Sequence, residues 1–198
     1  MARIPAEERR QAFVEAAVDV IGTHGVSGAT TRRIAEAAGA PLATLHYCFH
    51  TKEELFVAVF QKQNEAISER LDVVEGGGLE KAVADILVNS ADWLMENPRY
   101  ARAQFDLFLW ATKQEGDNAQ LATEIFDLFV QRFVEALERG VDDHDDPTLP
   151  APLANFLIST LDGLVLEWCG HQDEAQLKSE LGFATDALTL LVRSRRSA

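Results

Sequence analysis

The placement of glycine and proline constrains the fold of this chain more than any other feature. Only 12 glycines and 6 prolines occur in 198 residues, and they fall at the edges of long segments rich in alanine, leucine, glutamate and valine. Apolar residues recur every three or four positions within these segments, which is the period of an α-helix. The pattern predicts an all-α fold of about nine helices. We expect these helices over 6–23, 30–38, 41–48, from 51 onward, 79–96, 98–113, 118–139, 151–171 and 173–194.

Local signals support several of these boundaries. Gly25 and Gly39 each follow a helical run, where glycine commonly ends a helix. Thr30 and Thr51 precede the second and the fourth predicted helix. Their hydroxyl groups can accept hydrogen bonds from the backbone N–H groups of the first turn, so both threonines are predicted helix caps.

The charge of the chain is unevenly distributed. There are 32 acidic and 18 basic residues, and the formal net charge of −14 taken as a whole repels nucleic acid and anionic membranes. Residues 1–52 contain six basic and five acidic residues, a net charge of +1, so the other 146 residues carry −15. The repulsion therefore comes from the part of the chain that follows residue 52.

Several classes of protein are excluded by missing patterns. Cys48 and Cys169 are far apart, and they predict neither a disulfide framework nor a zinc site. The sequence shows no apolar membrane span and no export signal, so we expect a cytoplasmic protein with no membrane partner. It shows no nucleophile elbow, phosphate loop or HExxH helix either, and we expect no enzyme activity and no cofactor.

Two other clusters of metal-binding residue types have simpler interpretations. His46, Cys48 and His50 stand at alternate positions of a predicted helix, where their side chains cannot converge on one ion, so we expect no metal there. The acidic run 142–146 lacks the glycine and glutamate of a calcium loop and predicts a solvated connector. The arginines at 193, 195 and 196 predict an exposed chain end that offsets a helix dipole.

The second and third predicted helices have the layout of a helix-turn-helix unit. Both are short, they are joined by a tight turn that contains Gly39, and they follow a longer first helix. The predicted inward face consists of Ile34, Ala35, Ala38, Leu45 and Phe49. The remaining face of the third helix is compact and free of acidic side chains, so it can lie against a DNA groove.

The run TTRRIAEAAGAPLATLHYCFHTKEELF, Thr30 to Phe56, resembles the DNA-binding signature of TetR-family transcriptional regulators. The shared features are a capped short helix, Ile-Ala, Gly39, Thr44-Leu45, an aromatic residue before Phe49, and Thr-Lys-Glu. The resemblance implies an N-terminal helix-turn-helix domain, a larger helical domain that binds a small-molecule effector, a homodimer, and double-stranded operator DNA as a partner. It also implies a repressor that its effector releases from the operator.

The resemblance assigns DNA contacts residue by residue. Thr31 and Tyr47 are expected at phosphates, Arg32 and Arg33 give electrostatic support, and Lys52 is a phosphate clamp at the start of the fourth helix. The expected groove-facing or base-reading positions are Leu42, Ala43, Thr44 and His46. The family commonly has a polar residue at the position of Leu42 and a glycine at that of Ala43. We therefore hypothesise that Leu42, Ala43 and the Thr44 methyl group pack on thymine methyl groups.

Half of the 16 aromatic residues lie between positions 93 and 133. Their helical spacing alone favours a filled core, whereas the resemblance implies an effector pocket in this region. The residues predicted for this pocket are Trp93, Gln104, Phe105, Phe108, Phe126, Phe129, Phe133 and Asp162. Both interpretations stay open at the level of sequence.

The last two predicted helices carry broad apolar stripes. A helix-turn-helix regulator that reads two half-sites needs a two-fold dimer, and the resemblance implies that these helices form its interface. Burial of the stripes within one subunit is the alternative. The residues predicted for the dimer interface are Phe156, Leu161, Leu164, Trp168, Leu181 and Leu188.

These expectations divide the chain into two domains. Residues 1–52, with the start of the fourth helix to about 60, form the predicted DNA-binding domain, and residues 61–198 form the predicted effector-binding and dimerisation domain. Two other functions remain as alternatives. One is a helical ligand-binding protein that no longer binds DNA, and the other is a helical enzyme without a recognisable motif.

Overall fold

The computed structural model describes residues 5–196, and within that range the secondary structure is entirely helical, as predicted. Nine α-helices are found there, together with one short 3-10 turn at Gly116–Asn118. The helices are α1 (Ala6–Gly28), α2 (Thr31–Ala37), α3 (Leu42–Cys48), α4 (Lys52–Leu71), α5 (Gly78–Glu96), α6 (Pro98–Ala111), α7 (Leu121–Gly140), α8 (Pro150–His171) and α9 (Glu174–Arg195). In the same range no helix has the length and apolarity needed to span a membrane.

Helix ends follow the local signals that the sequence contains. Gly25 interrupts α1 with a φ of 72°, a left-handed value that glycine adopts without strain. The Thr30 hydroxyl accepts a hydrogen bond from the N–H of Arg33, and the Thr51 hydroxyl accepts one from the N–H of Glu54. Both predicted threonine caps are therefore confirmed.

The chain forms two compact units that do not coincide with the predicted domains. The first unit comprises residues up to 65 together with 98–122, and the second comprises 66–97 together with residues from 123 onward. Helix α6 therefore belongs to the first unit, although the sequence prediction placed all of 61–198 in the effector domain. The division of the chain by function remains a prediction.

The core of the first unit is built on the contact between α1 and α6. Phe13 and Ile21 of α1 are buried, and the ring of Phe56 meets that of Trp110 edge-on at 5.0 Å between centroids. Around this core the two helices are joined by polar contacts. Arg99 pairs with Asp19 at 2.7 Å, and the hydroxyl of Tyr100 donates to Glu15 at 2.9 Å.

The core of the second unit lies where α5 packs against α8 and α9. Asp145, in the predicted solvated connector, is buried instead. Its carboxylate accepts hydrogen bonds from the backbone N–H groups of Leu79 and Asp142 and pairs with Arg196 at 3.0 Å. The prediction of an exposed C-terminal end is confirmed for Arg193, which is 63% exposed while it pairs with Glu80 at 2.6 Å. It is wrong for Arg196, which is half-buried and pairs with Asp145.

Burial alone would raise the pKa of Asp145, but the two backbone N–H groups and Arg196 hold that pKa below its usual range. The acidic connector thus has a structural reason for its composition. It fastens the start of α5 to the end of α9 through a network of charged hydrogen bonds.

Candidate nucleic-acid interface

Helices α2 and α3 pack on α1 through the apolar side chains that the sequence predicts. Ile34, Ala35, Leu45 and Phe49 are all buried, whereas Ala38 is half-buried. The turn between the two helices passes through Gly39, whose φ is 61°. The pair has the arrangement of a helix-turn-helix, in which the second helix enters the major groove.

The outward face of α3 is apolar and aromatic. Leu42 is 38% exposed and Tyr47 is 81% exposed. Ala43 and His46 are also exposed, and Thr44 is half-buried. The helix, LATLHYC, contains no lysine, arginine, aspartate or glutamate. The four predicted groove-facing residues and Tyr47 therefore lie on a surface that neither attracts nor repels phosphate strongly.

The two arginines of α2 already have local partners. The Arg32 guanidinium pairs with Glu36 at 3.2 Å, and the Arg33 guanidinium donates to the carbonyl oxygen of Gly28 at 2.8 Å. Thr31, at the first position of α2, is half-buried. Because both arginine side chains are exposed, they can still exchange these partners for phosphate oxygens.

Lys52 stands at the first position of α4, as its predicted role requires. Its ammonium donates a hydrogen bond to the carbonyl oxygen of Val26 at 3.2 Å and lies 4.9 Å from the centroid of the Phe56 ring. An ammonium has three N–H donors, so this contact leaves donors for a phosphate. The structure thus holds Lys52 next to the last turn of α1.

Two residues outside the predicted set help to shape this surface. Arg10 of α1 donates to the carbonyl oxygen of Cys48 at the end of α3, and Asp106 of α6 accepts a hydrogen bond from the backbone N–H of Val26. These partners are 38 and 80 residues apart. Sequence periodicity marks both as ordinary polar positions on a helix, and it contains no signal for either contact.

His46 and Cys48 lie in the last turn of α3, and His50 follows that helix. Within the part of the chain that the structure describes, no group of three His, Cys, Asp or Glu side chains is placed to hold an ion. Cys48 is a half-buried free thiol.

Comparison with known proteins places this site in a family. Residues 13–59, which run from α1 into α4, match the model of the bacterial regulatory proteins of the tetR family. The chain carries the DNA-binding domain of the TetR family. It is a DNA-binding helix-turn-helix transcriptional regulator, which confirms the predicted class of function.

Sequence similarity to a known relative covers almost the whole length of this TetR-family regulator. It is 26% identical over 188 residues to the nicotine-responsive transcriptional repressor HdnoR of Paenarthrobacter nicotinovorans, covering 93% of this chain and 96% of that protein. Its fold is similar to that of a transcriptional regulator from Rhodococcus sp. Rha1, with a TM-score of 0.72, 20% identity and coverage of 96% and 98%. It is also similar to that of FadR from Bacillus subtilis in complex with stearoyl-CoA, with a TM-score of 0.68, 20% identity and coverage of 87% and 95%.

The residues predicted for the effector pocket of the regulator fall in both units. Gln104, Phe105 and Phe108 are half-buried on α6 in the first unit. In the second unit Trp93 and Phe133 are buried, and Phe126, Phe129 and Asp162 are half-buried. Burial raises the pKa of Asp162 to about 6. These residues remain a predicted site.

The structure corrects four of the six predicted dimer contacts. Leu161, Trp168, Leu181 and Leu188 are buried inside the subunit, because α8 and α9 pack on each other and on α5. Leu164 is half-buried, and Phe156 remains 57% exposed. The exposed large apolar side chains of these two helices are Phe156, Leu166, Phe183, Leu190 and Leu191.

Proposed function

We propose that this TetR-family regulator is a repressor that binds an operator as a homodimer and is released by a small, partly apolar effector. The observation that carries the DNA contact is the exposed face of α3, with Lys52 positioned at the start of the next helix. Named relatives support repression and a small-molecule effector. HdnoR is described as a nicotine-responsive repressor, and FadR from Bacillus subtilis has been solved with stearoyl-CoA.

The proposed phosphate contacts are Thr31, Arg32, Arg33, Tyr47 and Lys52. Hydroxyl groups, cationic side chains and helix starts are the groups that position proteins on phosphates. The experiment begins with selection of a tightly bound duplex from a random pool by the full chain, followed by fluorescence anisotropy over a range of salt concentrations. A full chain that selects no sequence over the pool would contradict the proposed function.

Lys52 provides the first variant for this assay. Loss of one phosphate contact lowers affinity for all sequences and flattens the dependence of log affinity on log salt by about one. We therefore expect both effects for Lys52→Gln. The matched control is Lys178→Gln, which removes the same charge from an exposed position of α9. A sequence-selective loss for Lys52→Gln would contradict its phosphate role.

The proposed base contacts are Leu42, Ala43 and Thr44, with His46 beside them. Without a charged side chain on α3, the direct readout available to this helix is largely apolar contact with the C5-methyl group of thymine. Replacing thymine by deoxyuridine removes that methyl group and leaves every hydrogen-bonding edge intact. We expect weaker binding at one or more positions of the selected duplex.

A double-mutant cycle assigns the methyl contact to its side chain. For Leu42→Ala, the affinities for the thymine and deoxyuridine duplexes should become equal. For the control His46→Ala, the difference between the two duplexes should persist. If deoxyuridine has no effect at any position in the parent protein, α3 does not read methyl groups, although DNA binding itself would stand.

The proposed dimer uses the exposed apolar side chains of α8 and α9. Phe156 and Leu166 are exposed on α8, and Phe183 and Leu190, seven residues apart, lie on one face of α9. A pair of adjacent helices with such faces is suited to a two-fold contact with a second copy. Sedimentation velocity should show a dimer that Phe183→Asp dissociates. The control Val73→Asp changes an exposed apolar residue of the turn after α4 and should leave the dimer intact.

The proposed effector site consists of those predicted pocket residues that lie in the second unit. Trp93, Phe126, Phe129 and Phe133 offer an apolar and aromatic lining, and Asp162 is a polar anchor. An effector with higher affinity for a conformation that cannot bind the operator shifts the population away from DNA. A coupling of about 1–3 kcal/mol changes operator affinity about 5- to 150-fold, and the operator must weaken effector binding by the same factor.

Screening small molecules by the rise in melting temperature identifies candidate effectors, because a ligand of the native state stabilises it. The compound that stabilises the regulator should also lower its affinity for the selected duplex. If a saturating stabiliser leaves DNA affinity unchanged, that compound is not the effector. The alternative enzyme function predicts turnover of the stabilising compound by the regulator alone.

A further inference from the structure

The recognition helix α3 contains only seven residues. A helix of this length is not stable by itself, so its position depends on the contacts that hold it to the rest of the unit. Leu45 and Phe49 anchor one face in the core. The C-terminal end of a helix also exposes carbonyl oxygens that lack partners within the helix.

Arg10 of α1 lies at that C-terminal end. One guanidinium nitrogen donates to the carbonyl oxygen of Cys48 at 3.0 Å and to the carboxylate of Glu54 at 3.3 Å. The guanidinium carbon stands 4.1 Å from the centroid of the Phe49 ring. A single side chain of α1 therefore contacts the last residue of α3, the residue that follows it, and the first turn of α4. A cation at the C-terminal end of α3 also interacts favourably with the dipole of that helix.

Glu54 completes the connection. Its second carboxylate oxygen accepts a hydrogen bond from the backbone N–H of His50 at 2.9 Å, and its own backbone N–H donates to the hydroxyl of Thr51 at 3.0 Å. The backbone N–H of His50, together with Arg10, holds the pKa of Glu54 below its usual range. Arg10 and Glu54 therefore hold the turn between α3 and α4 through the carbonyl oxygen of Cys48 and the backbone N–H of His50.

We propose that Arg10 and Glu54 are positioning residues for operator recognition. They set the orientation of α3 relative to α1 and the distance between α3 and Lys52, without contacting DNA. The inference rests on the proposed operator binding. Base contacts depend on side chains reaching particular atoms in the groove, whereas phosphate contacts tolerate small displacements. Loss of the pair should therefore reduce specific binding more than non-specific binding.

The test uses the full chain, the selected duplex and a scrambled duplex of the same composition. Arg10→Lys keeps the charge but loses the planar fork of the guanidinium, and Arg10→Met removes the charge. We expect both variants to lose about tenfold to a hundredfold in affinity for the selected duplex. For Arg10→Lys, which keeps the charge, affinity for the scrambled duplex and the salt dependence should stay within error of the parent. The control is Arg102→Met, an exposed arginine of α6, which should bind both duplexes as the parent does.

Glu54→Gln gives an independent test with the opposite electrostatic expectation. Removing a carboxylate beside the DNA-binding surface would strengthen binding if charge alone mattered. The positioning role predicts weaker binding to the selected duplex instead. A melting curve for each variant separates this effect from unfolding, since a role limited to stability lowers the melting temperature and leaves affinity for the selected duplex unchanged at 25 °C or below.

Three results would overturn the inference. Unchanged discrimination between the duplexes in Arg10→Lys and Glu54→Gln removes the positioning role and leaves the proposed function intact. A parallel loss on both duplexes in Arg10→Met, with a flatter salt dependence, makes Arg10 a phosphate contact. A parent chain that does not discriminate between the duplexes overturns the proposed function and this inference together.

Discussion

Replacing Gly22 by alanine measures how closely α1 and α6 approach each other. A Cβ atom at Gly22 would lie 2.6 Å from the carbonyl oxygen of Arg99 and 3.1 Å from its Cα. Ordinary contact begins at 3.4 Å, so the oxygen must retreat by about 0.8 Å, the difference between 3.4 and 2.6 Å. Both of these obstructing atoms belong to the backbone, and no rotation of a side chain can remove them.

The size of the effect follows from two opposing contributions. Overpacking typically costs about 1–3 kcal/mol, and replacing glycine by alanine inside a helix gains about 1 kcal/mol. A retreat of α6 also strains the pair between Arg99 and Asp19 and the hydrogen bond from Val26 to Asp106. We therefore expect Gly22→Ala to lower the free energy of unfolding by about 1–2 kcal/mol. This corresponds to a fall in melting temperature of about 2–8 °C for a chain of this size.

The assay is thermal unfolding followed by far-UV circular dichroism, with urea unfolding as a second measurement. Gly182→Ala is the matched control, because Gly182 also lies inside a helix but has no atom within 4 Å of its Cβ position. That control should gain about 0.5–1 kcal/mol from helix propensity alone. If Gly22→Ala melts at or above the temperature of the parent, the close contact between the two helices is refuted.

Three carboxylates give further predictions for stability, each measured by urea unfolding at several pH values. Asp145→Asn should lose about 1–3 kcal/mol at neutral pH. The lowered pKa of Asp145 means that this difference is present above pH 4 and is lost as the pH falls through the folded pKa; a difference that grows in acid would contradict it. Asp162→Asn should be more stable than the parent above pH 6, and this gain should shrink as the pH falls toward 4. The raised pKa of Asp162 is the reason, because the parent loses stability as the pH rises from 4 to 6 and the buried carboxyl group ionises. No gain at pH 8 would show that the ionised carboxylate is well solvated. Asp106→Asn should destabilise the first unit by about 1 kcal/mol, since Val26 loses a charged acceptor, and an unchanged unfolding midpoint would contradict that contact.

Features that depend on neighbouring residues along the chain were predictable from the sequence. The helix boundaries, the threonine caps and the break at Gly25 each arise from side chains within a few positions of the backbone they affect. The inward residues of the helix-turn-helix were predictable for the same reason, because Leu45 and Phe49 repeat with the period of the helix. The resemblance to the DNA-binding signature of the TetR family also lies within one local stretch, Thr30 to Phe56.

Features that depend on tertiary packing were not predictable. Periodicity shows that a face of α8 or α9 is apolar, but not which neighbour covers it. The burial of Leu161 and Leu188 and the exposure of Phe183 therefore emerged only from the structure. The contacts of Arg10 and Asp145 join distant positions of the chain, and a single sequence contains no record of such a pairing.

The chain passes between its two compact units three times, at residues 65–66, 97–98 and 122–123. A chimaeric regulator joined to another effector domain at residue 65 would keep the whole helix-turn-helix but would receive a foreign α6. Glu15 and Asp19 would then lose Tyr100 and Arg99 as partners. Transfer of this DNA specificity to another regulator therefore requires two separate stretches of sequence, 1–65 and 98–122, to move together.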